Sequence, residues 1–249
     1  RLVDFCMENV KVTVGERLSY PNERIVSGSP EEILREEFNA LSVALFENPA
    51  CEPLRLGFGR SDDNFFRGKV PMTKEEIRVI SLSKLKLRGG FVLYDIGAGT
   101  GSVSVEAALS SDSGAVYAIE KNPQAVSLIV RNKYKFRAEN LEVIEGEAPE
   151  AFRALPAPTH VFIGGSGKKL IEIIRSVREK NRHARFVLNA VTLETIAQIE
   201  EIGRTFCAYR NPEVVQVNTA KSRPLLGYHL MSAQNPVYIV SFGGKDEEE

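Results

Sequence analysis

The chain has 249 residues, 43% of them hydrophobic and 26% charged, with a formal net charge of −1. That length allows one large domain, or one domain with an appendage, and the composition is ample for a buried core. The near-zero charge removes any global argument for binding nucleic acid or a membrane, and no apolar run approaches the length of a membrane span. The chain opens Arg1-Leu2-Val3 rather than with Met, which reads as a fragment of a longer protein. Alternation over 10–14 predicts a strand, and Ser29-Pro30 predicts a helix start with Ser at the N-cap and Pro at N1. A further apolar run spans 41–46 and is closed by Asn48-Pro49. The polar, glycine-containing stretch 57–64 predicts a linker or domain boundary. From Phe65 the pattern becomes regular. A helix is expected over 74–85, with Thr73 as N-cap and Glu76 at the capping-box position. Strands over 91–96, 115–120, 141–144, 160–164 and 185–191 alternate with helices from Ser102, from Asn122-Pro123 to 136, over 167–179 and over 193–202. Two long strands, 206–220 and 237–242, close the pattern. Such alternation predicts an α/β fold with a mainly parallel, doubly wound sheet, and the final pair of strands predicts an antiparallel edge.

The chemistry concentrates at the ends of these strands. The first ends in Asp95, and Gly97-Ala98-Gly99-Thr100-Gly101 follows before the helix. Such a turn lets backbone approach a nucleoside-containing cofactor at a helix N-terminus. The third glycine arrives one residue early for the dinucleotide fingerprint. A short G-x-G-x-G after a strand-terminal acid suits S-adenosylmethionine better than NAD; an ordinary strand-to-helix turn is the bland alternative. With a reversed last strand, the plan is that of a class I S-adenosylmethionine-dependent methyltransferase, a Rossmann-like seven-stranded sheet. Glu120 closes the second strand, where a carboxylate can accept from both ribose hydroxyls; otherwise it is a solvated acid. Glu147 and Ala148 follow the third strand as adenine-binding candidates, with a plain turn as the alternative. After the fourth strand, Gly164-Gly165-Ser166-Gly167 is expected at a helix N-terminus, making either a tight turn or an anion site for a carboxylate. Arg67, Lys69, Lys74 and Arg78 form a basic cluster, either a solvated face or a recognition surface for a polyanionic small molecule. Asn189 ends the fifth strand and begins a polar wall with Thr192 and Glu194. Cys6, Cys51 and Cys207 lie far apart without metal-ligand spacing, as thiols of a reducing cytoplasm do; no metal is expected.

Taken together, Pro71-Met72-Thr73-Lys74, the glycine loop, Ala118-Ile119-Glu120, Glu147-Ala148-Pro149-Glu150, Phe162-Ile163-Gly164-Gly165-Ser166-Gly167 and Asn189-Ala190-Val191-Thr192-Leu193-Glu194 resemble the decarboxylating precorrin methyltransferases of cobalamin biosynthesis. The resemblance covers roughly 62–242. Residues 14–25, from Val14-Gly15-Glu16-Arg17 to Arg24-Ile25, resemble instead the tail of a tetrapyrrole methylase domain. The implied division is 1–60 as that remnant plus linker, and 61–249 as a methyltransferase and decarboxylase domain. The resemblance implies methylation of a corrin precursor at C15 with loss of carbon dioxide from the C12 acetate. It also implies a cytoplasmic homotetramer with no nucleic-acid or membrane partner. Carried over by position, Thr73, Asp95, Gly97, Ala98, Gly99, Thr100, Gly101, Glu120, Glu147 and Ala148 would serve the cofactor. Arg67, Lys74, Gly165, Ser166 and Asn189 would serve the substrate. Two alternatives stay open from the residues alone: a methyltransferase of the same fold acting on RNA or protein, and a non-catalytic cofactor-binding remnant.

Overall fold

A computed structural model describes residues 9–49, 57–207, 212–225 and 227–244. The chain divides into two compact units, Arg1–Arg55 with Tyr134–Arg137, and Leu56–Lys133 with Ala138–Glu249. In the first, β1 (Lys11–Glu16) lies between β2 (Arg24–Gly28) and β3 (Ser42–Glu47), antiparallel to both. Val10, Val12 and Val14 are buried and pack with Ile33 and Phe38. The short helix α1 (Pro30–Ile33) starts as expected: Ser29 and Glu32 form a reciprocal capping box, with Pro30 in the first turn.

The second unit is built on a seven-stranded sheet. Its strands are β4 (Val92–Ile96), β5 (Ala115–Glu120), β6 (Leu141–Glu145), β7 (His160–Ile163), β8 (Arg185–Ala190), β9 (Glu213–Val217) and β12 (Val237–Phe242), in the order β6-β5-β4-β7-β8-β12-β9. The five strands β4 to β8 run parallel, while β12 runs antiparallel to both β8 and β9. This is the predicted plan, with the last strand of the chain inserted in reverse. The central parallel strands are nearly continuous apolar runs because both faces are covered, the usual requirement for parallel pairing. Helices α2 (Glu75–Leu85), α3 (Ser102–Leu109), α4 (Pro123–Phe136), α5 (Leu170–Lys180) and α6 (Leu193–Phe206) make up the remainder of the layers. Among the core residues, Phe186 and Phe242 are directly opposite on β8 and β12 and stack with ring centroids 4.9 Å apart. Among the described residues, no helix is long and apolar enough to cross a membrane.

Three expectations need correction. Thr73 does not cap α2; the N-cap position is Lys74, without a side-chain cap bond. Asp62 supplies the acceptor instead, its Oδ1 receiving the Glu75 N–H at 3.0 Å, and Glu76 turns away to pair with Lys221 at 2.7 Å. The helix after β7 begins at Leu170, not 167, because Gly167 and Lys168 adopt φ of 56° and 73° and break the right-handed path. The expected strand over 206–220 is split: α6 continues through Phe206, and Ala220 instead opens a hairpin of β10 (Ala220–Leu225) and β11 (Tyr228–Ala233). Residues 208–211 lie outside the described residues.

Candidate functional site

The carboxyl ends of β4 to β8 open into a cavity of about 450 Å³. The glycine loop forms one wall. Gly97 has a φ of 69°, and a β-carbon there would sit 2.5 Å from the Gly165 carbonyl oxygen, so the loops after β4 and β7 meet only because position 97 carries no side chain. Gly99 approaches the Pro71 carbonyl oxygen nearly as closely, leaving 2.8 Å for a β-carbon. Glu120 organises this wall from the end of β5. Its Oε2 accepts the Gly99 N–H and its Oε1 the Asn122 N–H, both at 2.9 Å. Asn122 in turn accepts from Gln124 N–H, the cap expected for α4.

Eleven of the expected residues line the cavity: Thr73, Lys74, Gly97, Ala98, Gly99, Glu120, Glu147, Ala148, Gly165, Ser166 and Asn189. Four do not. Asp95 is fully buried behind the loop, where its Oδ2 accepts from the Ser104 hydroxyl and its Oδ1 has no partner. Burial pushes its carboxyl up to about 7, against the opposing hydrogen bonds from Ser104. Thr100 is also buried, its carbonyl accepting from Asn132 Nδ2 at 2.8 Å. Gly101 faces Ile129 of α4, and Arg67 is exposed and outside the lining.

The charged features also rearrange. Ser166 does not sit at a helix N-terminus; its carbonyl accepts the Lys169 N–H in a turn that precedes α5, so the dipole-based anion site is absent there. Arg78 leaves the expected basic cluster altogether and is fully buried. Thr192 caps α6 by accepting the Thr195 N–H, and neither it nor Glu194 lines the cavity. Glu147 stands at the rim between Lys121 Nζ at 2.8 Å and Lys169 Nζ at 3.0 Å, and these two ammonium groups hold its carboxyl below the usual carboxylate range. Both oxygens of the expected adenine acceptor are thereby engaged by lysines, which leaves the backbone of neighbouring Ala148 as the less encumbered group.

Sequence reasoning missed Asn132. It is fully buried on α4, accepts the Phe66 N–H at 2.8 Å, and donates to the carbonyls of Phe66 and Thr100 at 2.9 and 2.8 Å. The signal was present: Asn132 continues the buried stripe of Ala125 and Ile129, and a polar group on such a stripe requires partners. Asn189 is set by Ser81 of α2, whose hydroxyl lies 3.0 Å from its Oδ1.

Residues 64–242 match the model of the precorrin methyltransferase domain. The chain belongs to the precorrin methyltransferase family. A relative from Pyrobaculum calidifontis, a probable cobalt-precorrin-6B C(15)-methyltransferase (decarboxylating), is 42% identical over 187 residues, covering 74% of this chain and 94% of the relative. The cobalt-precorrin-6B C(15)-methyltransferase (decarboxylating) of Salmonella typhimurium is 37% identical over 186 residues, covering 72% and 93%. The crystal structure of precorrin-6Y C5,15-methyltransferase from Geobacter metallireducens superposes with a TM-score of 0.70 at 42% identity, covering 76% of this chain and 98% of that one. A SAM-dependent O-methyltransferase from Thermotoga maritima shares the fold alone, with a TM-score of 0.60 at 16% identity over 100% of this chain and 98% of its own. The precorrin methyltransferase match begins at residue 64 and so covers the cavity and both of its loops, while the first unit's sheet lies before it.

Proposed function

We propose that this chain methylates a corrin precursor at C15, using S-adenosylmethionine, and removes carbon dioxide from the C12 acetate. One observation carries the reading: within the stretch matched to the family, Glu120 binds the glycine loop and the α4 cap through its carboxylate at the mouth of the sheet. Each carboxylate oxygen keeps a second lone pair, so the same group can accept from a ribose while it stiffens the loop. The close-packed glycines and the roomy cavity fit an adenosyl group lying across the strand ends.

When bound, the cofactor supplies an electrophilic methyl group. The protein's task is then placement. Residues 97–101 present backbone to the cofactor, Ala148 offers its N–H to the adenine ring, and Thr73 faces the methionine end. Asp95, buried behind the loop with one unpartnered oxygen, acts on the loop from below rather than on the ligand. Lys74, Gly165, Ser166 and Asn189 line the part of the cavity open to the ring, and exposed Arg67 meets carboxylate arms outside it. Positioning the nucleophilic carbon in line with the methyl group supplies most of the acceleration. Loss of carbon dioxide leaves electrons that the conjugated ring delocalises, so the protein must hold the acetate and exclude water.

Two further parts belong to this proposal. The first unit is the tail of a tetrapyrrole methylase domain, and the active assembly is a cytoplasmic homotetramer. Light scattering tests the latter; a mass other than four chains refutes it. The activity is tested by incubating the protein with S-adenosylmethionine and a reduced corrin precursor. Release of carbon dioxide together with one added methyl group is expected. Methyl transfer to RNA or peptide without carbon dioxide would overturn the assignment.

A further inference from the structure

The wall of the cavity facing the glycine loop is a strap, residues 70–74, that has no regular secondary structure. Its course is nevertheless closely defined. At Gly99 it lies against the glycine loop through the Pro71 carbonyl. Upstream, both backbone groups of Phe66 are bonded by the Asn132 side chain, which also holds the Thr100 carbonyl of the glycine loop. Downstream, the Thr73 carbonyl accepts from Arg78 at 2.7 Å.

Arg78 has unusual surroundings. The guanidinium is fully buried and donates from Nε to Glu106 at 2.7 Å, from one terminal nitrogen to Asp62 at 3.2 Å and to Thr73, and from the other to the Arg60 carbonyl. The ring of Phe65 lies 4.8 Å beneath it. Glu106, equally buried on α3, receives the N–H groups of Gly59 and Arg60 at 2.9 and 3.0 Å. A buried ion pair of this kind is poorly explained by stability, since apolar residues of similar volume commonly serve as well or better. Its donors are instead divided among three segments, the stretch 60–62, Thr73 and Glu106 of α3, a task that suits the planar fork of arginine.

We propose that Arg78 is a positioning residue for methyl transfer: anchored on Glu106 and Asp62, it fixes the Thr73 carbonyl and so sets the separation between the strap and the glycine loop. Asn132 holds the other end. Thr73 and Lys74 are thus presented to the cavity in advance, and the strap serves as a fixed wall. This inference rests on the methyl-transfer reading for its consequence in catalysis, but its structural content can be measured separately.

The test combines hydrogen exchange with ligand titration on the full chain. In the free wild-type protein the Phe66 and Glu75 amides should exchange as slowly as those of the central strands; exchange at loop rates would overturn the proposal outright. Arg78→Lys retains a charge for Glu106 but loses the fork. Its folded fraction should bind S-adenosylhomocysteine about tenfold more weakly and turn over on the order of 100-fold more slowly. Its Phe66 amide, held by Asn132, should stay protected while Glu75 loses protection. An Arg78→Lys protein with affinity and kcat within twofold of wild type would refute the role. A role confined to stability would lower the melting temperature and leave the affinity of the folded fraction unchanged. If the wild type fails to bind S-adenosylhomocysteine, the methyl-transfer reading falls, and the wild-type exchange rates still decide whether the strap is held.

Discussion

The two walls of the cavity are built by opposite means. The glycine wall is made of backbone, closed by contacts that no side chain could survive and stitched by one carboxylate from the adjacent strand end. The strap wall is held by long side chains reaching in from three helices, with Arg78, Glu106 and Asn132 all fully buried. The difference teaches that a site can depend as much on polar groups that never touch its ligand as on those that line it. It also divides the consequences of substitution. Damage to the glycine wall acts through steric exclusion, and damage to the strap acts through lost placement.

The largest effect is expected at Gly97. A Gly97→Ala β-carbon would strike the Gly165 backbone, at a φ already unfavourable for alanine. Calorimetry should then detect no S-adenosylhomocysteine binding at concentrations that saturate the wild type, and near-normal binding would show the wall to be more compliant than its packing implies. Glu120→Ala comes next. Losing a charged acceptor should weaken the same ligand by about 10- to 100-fold, and an unchanged affinity would remove the ribose role.

Asp95 sharpens the comparison through pH. Its folded carboxyl titrates at about 7, above its ordinary value of 3.8. The native state therefore binds the proton more tightly than the unfolded chain, and the stabilising contribution of this group is complete below about 3.8 and is lost as pH rises through 7. Asp95→Asn should therefore gain melting temperature relative to wild type on going from pH 4 to pH 8. A constant difference across that range would mean that Asp95 ionises without cost. The smallest effect is expected at Lys121, whose ion pair with Glu147 is exposed. Lys121→Ala should change S-adenosylhomocysteine affinity by less than about threefold, and a large loss would give the rim a direct part in binding.

Legibility followed the range of the interactions. Strand β5 and helix α4 emerge with the expected bounds, because their signals are local: an apolar run ending in Glu120, then Asn122-Pro123 as cap and first turn. The α2 cap was misread because Asp62, well upstream, supplies the acceptor that Thr73 was expected to provide. The start of α5 was misplaced because Lys168, a residue without a glycine's freedom, adopts positive φ. The hairpin β10–β11 escapes the sequence reading, whose strand ends at Ala220 and whose next begins at Val237, although Gly227, at a φ of 85°, marks the turn between its two strands. Arg78 was counted with Arg67 and Lys74 by proximity in sequence, yet the helix turns it inward onto Glu106 while Arg67 stays exposed.

The amino-acid order alone determined the sheet, its reversed final strand and the glycine turn, since periodicity, caps and conformational freedom act over a few residues. It also brought Glu120 and Ala148 to the cavity, because residues at the carboxyl ends of parallel strands converge whatever surrounds them. Only tertiary structure decided which charges are buried partners and which are free to meet a ligand. That choice turns on desolvation and on groups brought together from distant segments, as when Glu106 meets Arg78 or Lys169 meets Glu147. No local pattern encodes such meetings.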